Sequence, residues 1–166
     1  MKRIGIISDT HGYLHPRVFS FFKDCDEIWH AGDIGNIETL DELNKFKPTR
    51  AVFGNIDGGN LRVSCNEYEV FNIESTKILM MHIGGYPGRY SQLGRQLINK
   101  YKPNIFISGH SHILKIINDN KHNLLHINPG AAGNSGQHKF ITFIRFVINN
   151  GNITDLEVFE VPRQSY

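Results

Sequence analysis

Cysteine is nearly absent from this chain. Cys25 and Cys65 stand far apart and without the close spacing of a thiolate metal site. Disulfide scaffolds and zinc ribbons are thereby excluded, and both thiols are expected to be reduced packing residues. No apolar run is long enough to cross a bilayer. Lys2 and Arg3 are followed by only four residues before Ser8-Asp9, too few for a signal-peptide core, so a cytoplasmic location is expected and no membrane partner. The Asn152-Ile153-Thr154 sequon is then a coincidence. Charge of one sign is lacking too. A net charge of +2 gives no strongly basic face, and nucleic acid is not an expected partner. Repeats, linkers and low-complexity segments are missing. The 166 residues suit one domain, residues 1–166, with a sizeable core.

What the chain does have is a series of short apolar runs, each ending in polar, metal-type side chains. Ile4 to Ile7 is β-branched and too short for a helix, so it reads as a buried strand running into Asp9 and His11. Leu14, Val18, Phe21 and Phe22 recur at helical spacing, which predicts a helix over 15–24 with Pro16 in its first turn. Glu27 to His30 is a second strand, followed by Ala31-Gly32-Asp33. Asn36 caps a helix reaching about Lys45, closed by Pro48. Arg50 to Phe53 is a third strand, followed by Gly54-Asn55-Ile56-Asp57. This β-α-β-α-β order favours parallel strands with helices over the sheet.

Asn66 to Ile73 and Lys77 to Met81 are joined by a short connection and read as an antiparallel hairpin, the second strand running into His82. Gly84 to Gly88 is a loop. Tyr90, Leu93, Leu97 and Tyr101 mark a helix stopped by Pro103, with Arg89 and Tyr90 at its start. Asn104 to Ile107 is a strand followed by Gly109-His110-Ser111-His112. Four more strands are expected over Leu114–Ile117, Asn123–Ile127, Lys139–Val147 and Ile153–Val161. Asn128 to Gly133, rich in Gly and Pro, is expected to be irregular. The pattern predicts an α/β fold of two packed sheets with helices outside.

Five strand ends thus carry candidate ligands: Asp9 and His11, Asp33, Asn55, His82, and His110 with His112. In open α/β sheets the rim beyond the strand ends is where ligands bind. Most of these residues sit beside glycine, which lets the backbone turn and a ligand approach. Oxygen and nitrogen donors without thiolate suit Mn, Fe, Ni, Co or Zn better than Ca or Mg. Asp57 is either an orienting partner for a ligand histidine or a simple turn residue. His30, His122, His126 and His138 fit no ligand pattern and are expected to be hydrogen-bonded or surface residues. Arg89 and Tyr90 are better explained by a helix start than by substrate contact, and Trp29 by the core.

Asp9-Thr10-His11, Gly32-Asp33, Gly54-Asn55, His82 and Gly109-His110-Ser111-His112 resemble, in order, the motifs of the calcineurin-like metallophosphoesterases. The short length is similar to the small bacterial and archaeal phosphodiesterase branch, to which the phosphoesterase-like retromer subunit is related. Asn128-Pro129-Gly130 also resembles a turn of that branch. The resemblance implies a two-sheet β-sandwich flanked by helices, in four layers α-β-β-α, and two divalent metal ions. It assigns Asp9, His11 and His112 to the first ion, Asn55, His82 and His110 to the second, and Asp33 to both, with Asp33, Asn55 and His110 closest to the chemistry. Manganese is the expected metal, with Ni, Co, Fe or Zn as alternatives. Two cations about 3.5–4 Å apart can share one hydroxide and clamp a phosphoryl group. The implied substrate is a small phosphodiester or other phosphate ester; homo-oligomerisation is left open. Larger relatives often place a proton-donating histidine after the motif asparagine, where this chain has Ile56. Many have glycine after the motif histidine, where it has Ile83. The competing reading is a protein-interaction scaffold with the same fold and little or no chemistry.

Overall fold

A computed structural model describes residues 1–164. In chain order the elements are β1 (Lys2–Ile7), α1 (Arg17–Phe21), β2 (Glu27–His30), α2 (Ile37–Phe46), β3 (Thr49–Ala51), α3 (Gly59–Ser64), β4 (Tyr68–Ile73) and β5 (Thr76–Met81). They continue with β6 (Gly85–Tyr86), β7 (Arg89–Tyr90), α4 (Gln92–Tyr101), β8 (Ile105–Ile107), β9 (Leu114–Asp119), β10 (Leu124–Pro129), β11 (Phe140–Asn149) and β12 (Asn152–Pro162). No helix among the described residues is long and apolar enough to cross a membrane.

Two five-stranded sheets form, ordered β12-β11-β1-β2-β3 and β4-β5-β8-β10-β9. As the β-α-β-α-β pattern predicts, β1, β2 and β3 are parallel. The β4–β5 hairpin is antiparallel, and β5, β8 and β10 run parallel beside it. Strand alternation sorts the side chains into layers. Ile4, Ile6 and Trp29 of the first sheet meet Ile78, Met80, Ile105 and Ile127 of the second between the sheets. Ile7, Ile28 and Phe143 face the other way, under Val18 and Phe22 around α1 and Leu43 of α2. Leu79, Met81 and Phe106 face outward beneath Leu97 and Ile98 of α4. The result is the two-sheet, helix-flanked architecture, with each fully buried Leu, Ile or Phe contributing about 1.5–3 kcal/mol.

Several boundaries differ from the sequence pattern. The first helix is shorter than 15–24, because Pro16 occupies its N-cap and the chain turns at Phe22, whose carbonyl accepts the Cys25 N–H. Helix α3 lies in a stretch that reads as loop. Arg89 and Tyr90 are not at a helix start: they form the second strand of the small β6–β7 hairpin, and α4 begins after Ser91, whose hydroxyl accepts the Gly94 N–H. Asn128 and Pro129 continue β10, paired with Lys115 and Leu114, and irregular backbone begins only after them. Proline is tolerated there because the strand is ending. Cys25 and Cys65 are free and buried, and burial pushes both thiols up to about 11, consistent with packing roles.

Candidate metal centre

The parallel strands of each sheet end on the same side, so the polar segments after them share one rim. In the first sheet the segments after β1 and β2 are stitched together by Asp9 N–H to Gly32 carbonyl (2.9 Å) and His11 N–H to Asp33 carbonyl (3.0 Å). In the second, Gly109 N–H reaches the His82 carbonyl at 3.0 Å. The sheets are joined at the rim as well. His110 N–H donates to Asp9 Oδ2 at 3.2 Å, and His82 Nδ1 donates to the Ala31 carbonyl at 2.7 Å.

These contacts bring six of the seven sequence-predicted residues into two groups, Asp9–His11–His112 and Asp33–His82–His110. Within each group one ligand atom per residue lies within 4.8 Å of the others. The groups adjoin through Asp33. Its Oδ2 is 3.4 Å from His11 Nε2 in the first group, and its Oδ1 is 3.3 Å from His82 Nε2 in the second. Asp9 Oδ1 faces His112 Nε2 at 3.2 Å and His82 Nε2 at 3.7 Å. The seventh residue, Asn55, is exposed at the turn after β3 and lines a cavity of about 250 Å³ together with Gly54 and His82. His110 is the exposed member of the second group.

The donor set fits a cation. Asp9 Oδ1, His11 Nε2 and His82 Nε2 are buried without a hydrogen-bond partner, an expensive arrangement unless something positive lies between them. Because His82 Nδ1 donates to Ala31, a neutral ring turns its Nε2 lone pair toward two carboxylates. The same field shifts the pKa values of the candidate ligands. Asp9 chiefly holds the His11 imidazolium above its usual range. Burial opposes charge on His82, and Asp33 and Asp9 together outweigh it and raise that pKa. Burial likewise pushes Asp9 up, but His11, His112, His82 and Ser8 reverse this and hold it well below the carboxylate range. Protons on these histidines and divalent cations answer the same negative potential.

Asp9, His11, Asp33, His110 and His112 all have positive φ, half of the ten non-glycine residues with positive φ among the described residues. Such backbone is costly for residues with a Cβ and concentrates where function requires it. Gly54 and Gly109 serve close approach instead. A Cβ on Gly54 would lie 2.1 Å from Asp33 Oδ1, and one on Gly109 would lie 2.2 Å from Ser8 Oγ.

The residues that hold the ligands are less legible in the sequence. Ser8 Oγ donates to Asp9 Oδ2 at 2.7 Å. Asp57 is buried and touches no ligand histidine. Its carboxylate accepts N–H groups from Ile34 (3.0 Å), Gly35 (2.9 Å) and Gly54 (2.9 Å), tying the Asp33 loop to the Asn55 turn. His30 is fully buried, and burial lowers its pKa to about 4. Its Nδ1 accepts the Gly32 N–H, so Nε2–H donates to Thr10 Oγ1 at 2.9 Å. His138 stacks edge-on against His112 with ring centroids 5.1 Å apart, a contact with no motif to announce it. His122 pairs with Asp119 at 2.8 Å, away from the centre. Trp29 is core.

Known proteins resemble this chain in sequence and in fold. The sequence pattern of the calcineurin-like phosphoesterase superfamily domain matches residues 1–151. A probable metallophosphoesterase of Methanothermobacter thermautotrophicus is 32% identical over 135 residues, covering 77% of this chain and 76% of that one. A probable metallophosphoesterase of Methanocaldococcus jannaschii is 36% identical over 134 residues, covering 77% and 67%. Among solved structures, Vps29 from Entamoeba histolytica, complexed with Zn²⁺, superposes with a TM-score of 0.73 at 21% identity, over 98% of this chain and 99% of that one. An archaeal phosphodiesterase gives 0.73 at 19% identity over 96% and 99%. The matched region runs through all five ligand-bearing strand ends, and the chain belongs to the calcineurin-like phosphoesterase superfamily.

Proposed function

We propose that this protein is a dinuclear metal-dependent phosphodiesterase acting on small phosphate esters in the cytoplasm. The observation that carries the reading is Asp33, whose two carboxylate oxygens face one ligand group each. Asp9, His11 and His112 would hold one cation, Asn55, His82 and His110 the other, and Asp33 both, offsetting part of the repulsion between them. Manganese suits this oxygen and nitrogen set, as do Ni, Co, Fe and Zn. Divalent cations held there would supply Lewis acidity toward a phosphoryl group and lower the pKa of a water.

The chain's own residues supply order. Ala31 fixes the His82 tautomer so that Nε2 is presented. Ser8 and the His110 N–H occupy Asp9 Oδ2, leaving Oδ1 toward His112. His110 is exposed on the open side with its ring 5.3 Å from that of His82, which supports a contact with a phosphoryl oxygen. Ile56 and Ile83 are 48% and 45% exposed, an apolar rim that suits organic ester groups. Ile56 cannot protonate a departing oxygen, so esters with acidic leaving groups should react far faster than alkyl esters. The absent general acid is worth about 10²–10⁴-fold. The scaffold reading fits the likeness to Vps29 but does not by itself call for the unpartnered buried atoms of Asp9, His11 and His82.

The test combines metal content with hydrolysis of bis(p-nitrophenyl) phosphate, adding Mn, Ni, Co, Zn and Mg separately. Two metals per chain and turnover with Mn are expected, and Asp33→Asn should lose more of both than Asn55→Ala. Near-normal turnover and two metals in Asp33→Asn would overturn the assignment.

A further inference from the structure

A cleft of about 320 Å³, at the small end of ligand-pocket sizes, opens beside His110 under the β6–β7 hairpin. Its walls include Tyr86, Arg89, Ile113 and Lys115, and His126 lies in its lining. Two cations and no carboxylate line it. The Lys115 ammonium sits 3.8 Å over the Tyr86 ring. Neither Arg89 nor Lys115 has an ion-pair partner among the described residues. His126 is fully buried. Its Nδ1 donates to the Phe106 carbonyl at 3.2 Å, which leaves Nε2 an acceptor without a partner.

Two features call for something in a ligand. Unpaired cations on the wall of a confined cleft call for an anion. Tyr86 and Ile113 give the lining an aromatic and an apolar surface that favour a ring in the ligand. Because His110 is shared, an occupant of the cleft is continuous with a phosphoryl group bound at the metal centre. We infer that the cleft receives one arm of the phosphodiester substrate and that this arm carries a second phosphate, held by Arg89 and Lys115. The inference rests on the phosphodiesterase reading and names its substrate class.

Two chromogenic diesters separate the questions. The p-nitrophenyl ester of thymidine 5′-phosphate is compared with the same ester bearing a 3′-phosphate. Their leaving group is identical, and the ratio of their kcat/KM values cancels any general loss of activity. With Mn, the 3′-phosphorylated ester should be preferred by about tenfold or more, the worth of one charge-assisted contact. Arg89→Ala and Lys115→Ala should each lower the ratio, and the double variant should bring it near unity. A wild-type ratio near unity, with both esters hydrolysed, overturns the inference and leaves the phosphodiesterase reading standing. No turnover of either ester or of bis(p-nitrophenyl) phosphate overturns that reading instead. Calorimetry with thymidine 3′,5′-bisphosphate and metal-free protein needs no turnover. The double variant should bind about tenfold or more weakly, and equal affinity overturns the inference whatever the activity.

Discussion

The Asp57 carboxylate accepts three backbone N–H groups from two loops, and Asp57→Ala would leave all three without it. A buried donor left unsatisfied costs about 1–3 kcal/mol. Some of the three would find water, so a loss on the order of 3 kcal/mol is expected in urea denaturation of the metal-free protein. Because the same carboxylate spaces Asp33 from the Asn55 turn, metal affinity should fall too; an unchanged affinity would mean the loops hold their places without it. His30 makes a separate case. Its ordinary pKa of 6.5 is lowered by burial to about 4 in the fold. Between those values the unfolded chain binds a proton that the folded chain refuses. The stabilisation is therefore complete above 6.5 and is lost as pH falls toward 4, to the extent of about 3 kcal/mol. His126, also lowered to about 4, adds a slope of the same sign. His11 and His82 are shifted upward, so their contributions are complete below 6.5 and fade above it, outside this window. His30→Gln should thus flatten, but not abolish, the decline in the melting temperature of the metal-free protein between pH 6.5 and 4. A decline as steep as the wild type's would remove His30 from the account. The seven candidate ligands were legible because each follows an apolar run. Ser8 was not, and Asp57 was legible only as either a turn residue or an orienting partner for a histidine, because their partners are backbone groups and neighbours that only the folded loops bring near.

At the scale of elements, the working unit is a strand followed by a tight polar turn. The strands were legible from their β-branched runs, and the parallel order of β1, β2 and β3 from the helices between them. What escaped was short or glycine-rich. Helix α3 has six residues and buries only Leu61, too little to set up a period. The two-residue strands β6 and β7 lie in a stretch whose glycines and Pro87 read as loop. The turns themselves are tightest where glycine lets one strand end pass another. Gly54 lies against Asp33, with Asp33 N 2.4 Å from where a Cβ would sit. Asp33 N is backbone and cannot swing aside, so Gly54→Ala must move Asp33 or the turn. A misplacement of about 1 Å in a catalytic constellation can cost about 100-fold in rate, and that is the loss expected in diester hydrolysis, with metal content reduced. Gly58→Ala, four residues on and with nothing within 4 Å, is the control and should behave as wild type. Equal activity in both variants would mean that Asp33 tolerates displacement and does not bridge the two groups.

For the whole molecule the decisive feature is where the centre sits relative to the two sheets. Asp9, His11 and Asp33 follow strands of the first sheet, and His82, His110 and His112 follow strands of the second. Each ligand group is mixed: Asp9 and His11 with His112, and Asp33 with His82 and His110. Between the sheets the contact is apolar, made by side chains such as Ile6, Trp29, Ile78 and Ile107. Such a core stabilises the pairing without directional bonds, and at the rim His110 N–H to Asp9 Oδ2 and His82 Nδ1 to the Ala31 carbonyl supply them. Cations held by both groups would pin the rim of one sheet to the rim of the other. A ligand that binds only the folded state adds RT ln(1 + [L]/Kd), about 4 kcal/mol at a thousandfold excess over Kd. For a chain of this size 1 kcal/mol shifts the melting temperature by about 2–4 °C. Saturating Mn at two sites should therefore add about 8 kcal/mol and raise the melting temperature of the chelator-treated protein by roughly 20 °C. His112→Ala removes the second sheet's contribution to the first group and leaves the other group whole. Its metal-dependent gain should be roughly half that of the wild type, with one metal retained per chain. The measurement is differential scanning calorimetry across a Mn titration, with metal content determined in parallel. A melting temperature indifferent to Mn in a protein that binds two ions would mean that the unfolded chain binds them as well, and a centre that only the folded pair of sheets assembles would then have to be abandoned.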